Sequence, residues 1–408
     1  MMTAGAAAIV LAAGAATVIA THHSGAAGHD ASKSTPARLV ASSCSGPAGA
    51  AYVAEAGYSA FAAINTANCD LLQSYNVGDP QVPGDPGDYN YSSTSEGVAI
   101  DGSTLYFADA GGDNVGIIDT TTLNPDNYNP PGEVDVHVGF VPTDLTLNPA
   151  GTQLWVADTG PQTGRRSPSG ISILSTASNT VTGQLRVPGG PQQIAFSPDG
   201  STAYVTTAQG LLVIDTSNLN VITVIHGLGD PHAVAVTPDG STIYVTNTSQ
   251  NLVDVISAAT NRVTGTIGVG QLPWDIVISS DGSTMYVANP DSNSVSVIDT
   301  ATNTVTSTIG VQGDPDTMAL TPDGSQLWVG TLTYDWIFAY STSSLAQVGA
   351  TNLGAPYPNG GDGDEPTGIV LTGTPSPESD SSASIKLNVP GTIQNSASKY
   401  SKTSASKN

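Results

Sequence analysis

One short phrase recurs along this chain, and its period limits the fold more than any other feature. SPDGSTAYVTT (197–207), TPDGSTIYVTN (237–247), SSDGSTMYVAN (279–289) and TPDGSQLWVGT (321–331) are near copies. Looser copies stand at 101–109 (DGSTLYFAD) and 148–158 (NPAGTQLWVAD). Their glycines, at 102, 151, 200, 240, 282 and 324, are spaced by 49, 49, 40, 42 and 42 residues. A repeat of that period marks one supersecondary unit that buries its apolar face only against its neighbours.

Each copy reads as four short strands. An apolar run such as Ala233-Val234-Ala235-Val236 comes first. Pro-Asp-Gly then turns the chain, because Pro presets φ and Gly accepts φ > 0. The aromatic-Val run follows, then an alternating strand such as Val295-Ser296-Val297-Ile298, then Val305-Thr306-Ser307-Thr308-Ile309. Period-two alternation with a turn signal every eight to twelve residues predicts antiparallel all-β structure. One four-stranded sheet per forty-odd residues is the period of a propeller blade. The aromatic of that run occurs seven times, at Tyr52, Tyr106, Trp155, Tyr204, Tyr244, Tyr286 and Trp328. The copy at Tyr52 lacks a first strand, and Pro366-Thr367-Gly368-Ile369-Val370-Leu371 supplies one. The expectation is a seven-bladed β-propeller of four-stranded antiparallel blades over 50–374, with the C-terminal strand completing blade one. Closure would remove the open edges that invite aggregation.

The motif Tyr244-Val245-Thr246-Asn247 resembles that of the YVTN-repeat β-propellers. The resemblance covers about four fifths of the chain. It implies a secreted or surface-associated protein of bacterial or archaeal type, related to lactonase-like seven-bladed propellers that hydrolyse sugar lactones. The blade also resembles WD-repeat blades, without their Gly-His and Trp-Asp pairs.

Outside the repeats, residues 1–27 read as a signal-peptide region. The apolar run 4–20 is too short for a comfortable membrane span, though no Lys or Arg precedes it. Residues 28–49 read as a linker, and 375–408 as a Ser-rich disordered tail. Cys44 and Cys69 are the two cysteines. With an exported chain they would form a disulfide, although Ala41-Ser42-Ser43-Cys44 also makes a loose lipobox. No integral membrane span is expected after leader removal, and the chain reads as a monomer.

Charge excludes one class of partner. Net charge is −24, and 51–374 carries 31 acids against Arg165, Arg166, Arg186 and Arg262. Such a surface repels phosphate backbones, so nucleic acid is not expected as a ligand. A protein, glycan or small molecule is.

Loops that enter the innermost strand and loops that join the second and third strands share one propeller face. The first set carries Glu96, Asp144, Gln193, His232, Trp274, Asp275, Asp316 and Glu365. Of these, Glu96, Asp144, Gln193, Trp274, Asp275 and Asp316 are expected to meet a ligand at the channel mouth. Trp274 offers an indole face for a sugar, or else a wedge between blades. His232 is a candidate general base, or else a packing residue. Arg165 and Arg166 could clamp an anion, or form surface ion pairs of small energy. Glu55, Asp109 and Asp158 end the aromatic strands of consecutive blades and are candidate Ca²⁺ ligands, the alternative being ordinary turn caps. No other cofactor is indicated. Two functions fit: an exported binding or scaffold module, or a lactonase-like hydrolase using the same mouth residues.

Overall fold

A computed structural model describes residues 49–55, 60–76, 97–110, 112–124, 132–160, 169–333, 335–353 and 366–372. The leader, the tail from 373 on, Cys44, Glu96, Arg165, Arg166 and Glu365 lie outside them. Among the described residues, 28 strands form seven four-stranded antiparallel sheets. Blade one joins Pro366–Leu371 to Ala50–Glu55, Ala60–Asn65 and Leu71–Asn76. Blades two to seven then follow in chain order. Their inner strands are Val98–Asp101, Pro142–Leu147, Pro191–Phe196, Pro231–Val236, Ile276–Ile278 and Pro315–Leu320. Each inner strand touches the next all round, and Pro366–Leu371 lies between those of blades seven and two, so the ring is closed.

Closure is a strand exchange between the two ends of the repeat region. Tyr52 pairs with Val370 and Val53 with Ile369. Beyond the strand, Thr372 N donates to Ala50 O at 2.8 Å, and Thr372 Oγ1 accepts from Ala50 N at 3.0 Å. A Cβ on Gly49 would lie 2.1 Å from Thr372 O, so only glycine lets the two ends meet here. Thr351 Oγ1 of blade seven donates to Cys69 O of blade one at 2.6 Å, tying the same seam from the outer side.

The hydrophobic core is divided among the seams. Seven buried clusters each draw on two neighbouring blades: Leu327 and Val329 with Tyr286 and Val295, for example, or Trp328 with Ala51 and Val53. Six blades share one backbone feature beside a seam. The turn between third and fourth strands holds a left-handed residue: Cys69, Asn179, Leu219, Asn261, Asn303 or Leu345, with φ between 51° and 60°. Trp155 shares its cluster with Leu219, and Trp328 with Cys69, so each indole meets an apolar partner. Tyr244 instead donates its hydroxyl to Asn303 Oδ1 at 2.8 Å. Blade seven breaks the matching, because Tyr286 faces Leu345 there.

The Asp-Gly turns, three of them Pro-Asp-Gly and one Ser-Asp-Gly, behave as expected. Asp199, Asp239, Asp281 and Asp323 each accept the N–H of the serine two residues on, at 3.0 Å. Gly240 has φ 71°, and its Cα faces Pro198 of the preceding blade.

Two outcomes test this account. A chain ending before Pro366 leaves Ala50–Glu55 as an unprotected edge and should aggregate or lose its cooperative thermal transition. A truncated monomer with the full-length Tm, by size exclusion with light scattering and circular dichroism, would refute the closure. Leu345→Asn should raise stability by about 0.5–1 kcal/mol, since Asn tolerates φ > 0 and offers Tyr286 an acceptor. Chemical denaturation reads the change, and a loss of stability would show that the Tyr–Asn match is incidental.

Candidate functional site at the channel mouth

The register brings the two predicted residue sets to one rim. Pro142 lies opposite Asp158, Pro191 opposite Thr207, Pro231 opposite Asn247, Pro315 opposite Thr331 and Pro366 opposite Glu55. Proline at the first strand position forfeits no ladder bond. Directly after it the ladder slips, between Pro142 and Asp144, Pro191 and Ile194, Pro231 and Val234, and Pro315 and Thr317. Such a bulge leaves a residue unpaired and re-aims its side chain. Sequence reasoning missed what satisfies the freed groups. Thr206 Oγ1 accepts from Gln193 N at 3.0 Å and donates to His232 O of the next blade at 2.5 Å. Thr246 Oγ1 accepts from Ala233 N at 2.8 Å. The Thr of the Tyr-Val-Thr motif is therefore a bolt between mouth bulges, a role that its place after the aromatic could have suggested.

The bulges divide the predicted mouth residues into two tiers. Asp144, Gln193 and Asp275 hold one register place in blades three, four and six. Asp144, Gln193, His232 and Asp316 lie inside the inner strands, a correction to their assignment to loops. Asp144, Gln193 and Asp275 each reach across to the next blade. Asp144 Oδ2 accepts from Ile194 N at 2.9 Å, Gln193 Oε1 from Val234 N at 2.7 Å, and Asp275 Oδ2 from Met318 N at 2.7 Å. Gln193 also hydrogen-bonds the Asp275 carboxylate, and the charge of Asp275 acts on Asp144. Burial pushes both carboxyls up to about 6, against the lowering pull of the backbone N–H groups.

One step nearer the rim stand His232, Trp274 and Asp316. The imidazole of His232 stacks on the indole of Trp274, with ring centroids 3.6 Å apart and planes 29° apart. His232 Nδ1 is 2.9 Å from Trp274 O. A carbonyl only accepts, so Nδ1 carries the hydrogen and Nε2 keeps a lone pair. Burial pulls the His232 pKa down to about 4, so the ring is neutral at pH 7. A base of that strength is a poor general base at neutral pH. Trp274 is thus part wedge and part open surface. Asp316 lies in the bulge of blade seven.

The motif-end set stays apart. Glu55, Asp109 and Asp158 are 1–5% exposed, each bonded within its own blade. Ser74 Oγ donates to Glu55 Oε1 at 3.1 Å, Gly112 N to Asp109 Oδ1 at 3.1 Å, and Ser172 Oγ to Asp158 Oδ2 at 2.7 Å. Among the described residues no group of three or more His, Cys, Asp or Glu is placed to hold a metal ion. Cys69 is disulfide-bonded.

Comparison with known proteins narrows the family. The model of the family "Lactonase, 7-bladed beta-propeller" matches residues 172–313, which include Gln193, His232, Trp274 and Asp275. Over those residues the chain is similar to the lactonase-type seven-bladed propellers. A functionally unknown protein from Desulfotomaculum acetoxidans has a similar structure, with TM-score 0.63 and 18% identity over 79% of this chain and 99% of that one. Hydrazine synthase of Kuenenia stuttgartiensis is similar with TM-score 0.54 and 24% identity, over 65% of this chain and 81% of that one. Both likenesses are of fold. Among curated proteins, none matches.

Asp158 offers a clean test of the mouth's electrostatics. Burial pushes its carboxyl up to about 7, and Oδ1 has no hydrogen-bond partner. Asn289, at the same place in blade six, donates its amide to Ser296 Oγ at 3.1 Å. The folded pKa lies above the unfolded one. Stability from this group is therefore full below about pH 4 and lost as pH rises to about 7, a swing of order 2–4 kcal/mol. Asp158→Asn should flatten that part of the stability–pH curve and stabilise the protein at pH 8. Equal curves for the two proteins from pH 4 to 8 would remove the assignment.

Proposed function

We propose that this chain is an exported binding propeller that takes a small ligand at the mouth of its central channel. The observation that carries the reading is convergence. Blades three to six send Asp144, Gln193, His232, Trp274 and Asp275 to one end of the channel, where polar groups and an indole lie together. Ligand sites have this make-up, a few placed polar groups beside aromatic surface. Binding is favoured over catalysis because the carboxylates already cap backbone N–H groups and His232 is a weak base. Export is supported by the apolar run 4–20 and by the disulfide at Cys69, since disulfides persist in oxidising compartments. Among the described residues no helix is long and apolar enough to cross a membrane.

The family match favours a second reading, hydrolysis of a lactone, in which Asp144 or Asp275 would take a proton from water. One experiment separates the two. Purified protein is titrated with glucose, δ-gluconolactone and small amines while its tryptophan fluorescence and any lactone turnover are followed. A saturable change that Trp274→Phe diminishes, with turnover at the uncatalysed rate, supports binding. Lactone turnover that Asp275→Asn abolishes would replace it with hydrolysis. No saturable change with any ligand would overturn the mouth as a site.

A further inference from the structure

We infer that the mouth selects an organic ammonium ion in preference to a sugar, a lactone or a metal ion. This rests on the mouth being the binding site and names the chemistry that it accepts.

Acceptors outnumber donors in the site's hydrogen-bonding capacity. Asp144 and Asp275 accept and do not donate when ionised, and the Gln193 amide is already turned to Asp275. His232 adds a bare Nε2 lone pair, because its Nδ1 hydrogen is given to Trp274 O. A sugar hydroxyl or a lactone carbonyl needs donors as well as acceptors. The indole N–H of Trp274 is a donor, so acceptors outnumber donors here without being alone, and the ligand that suits such a site best is rich in donors: an ammonium group has three N–H donors with nothing to accept.

Charge points the same way. The described basic residues of the propeller, Arg186 and Arg262, are exposed on the outer strands 180–186 and 262–268. His137 and His226 are exposed as well. Nothing cationic among the described residues of the channel answers Asp144 and Asp275. An inorganic cation such as Ca²⁺ wants six to eight oxygen ligands. The described residues bring no group of three acidic, His or Cys side chains together, so a metal ion is poorly served. An organic cation asks less of the protein. It needs one or two carboxylates for its N–H groups and an apolar face for its carbon body. Trp274 supplies that face, and an indole is the side chain that attracts a cation most strongly. The ring of His232 covers one side of the indole at 3.6 Å and fixes its orientation.

The test uses matched probes on the full chain at pH 7.5 and 150 mM NaCl. Cadaverine (1,5-diaminopentane) and 1,5-pentanediol have the same length and differ in the end groups. Titration is read by tryptophan fluorescence and calorimetry. The expected result is saturable binding of cadaverine, at least tenfold tighter than of the diol, glucose or δ-gluconolactone. Asp275→Asn and Trp274→Ala should each weaken it at least fivefold, and Trp274→Phe less. Circular dichroism melting confirms that each variant is folded; Asp215→Asn, at the turn after the third strand of blade four and away from the mouth, should bind as the parent does. Tighter binding of the diol, the sugar or the lactone overturns the ammonium inference while keeping the mouth as a site. Cadaverine binding that Asp275→Asn and Trp274→Ala leave unchanged is diffuse attraction to an acidic surface, and overturns it too. No saturable binding of any probe overturns both the inference and the site.

Discussion

Each inner strand has one edge bonded to its own blade and one turned to the channel. Unpaired N–H groups along that second edge must find partners, since an orphaned buried donor costs about 1–3 kcal/mol. This propeller answers with side chains from the preceding blade. Asp144 serves Ile194, Gln193 serves Val234, and Asp275 serves Met318. Thr206 ties the bulge of its own blade to that of the next. The same bonds that finish the sheets also fix where the mouth residues point. Ring closure and the placing of the mouth side chains are thus met by one set of polar groups, which explains why acidic side chains can sit in so confined a space.

The ring itself was legible because its signals are local and repeated. A glycine at each Pro-Asp-Gly turn, an aromatic in each second strand and an orphan strand at 366–371 leave little freedom in the number of blades. The seam rules were less visible. Tyr244 with Asn303, and Trp155 and Trp328 with Leu219 and Cys69, are matched across neighbouring blades, so each half of the pair sits in a different copy of the repeat. Aligning copies compares like with like and hides the partnership.

The mouth was legible in part. Aligning the entries to the inner strands pointed to Asp144, Gln193, His232, Trp274 and Asp275, because the fold carries equivalent positions round one axis. It could not show that a one-residue bulge separates them into two tiers. For Glu55, Asp109 and Asp158 the same logic ran too far. They end second strands, which lie one strand spacing, about 4.8 Å, farther from the axis than the inner strands. At that radius equivalent side chains no longer meet, and each turns to a hydroxyl or an N–H of its own blade.

The matching of aromatic and turn across the seams bears on how such a ring can be copied. A blade cut out at its own borders carries an aromatic fitted to the following turn and a turn fitted to the preceding aromatic. Inserted elsewhere, it would set an indole against an asparagine, or a phenol against a leucine as at Tyr286 and Leu345. No single-blade cut avoids this, because each blade carries one half of a match with either neighbour. A copied blade therefore keeps its fit only beside neighbours whose aromatic and turn are of the kind it left, which favours copying several blades together.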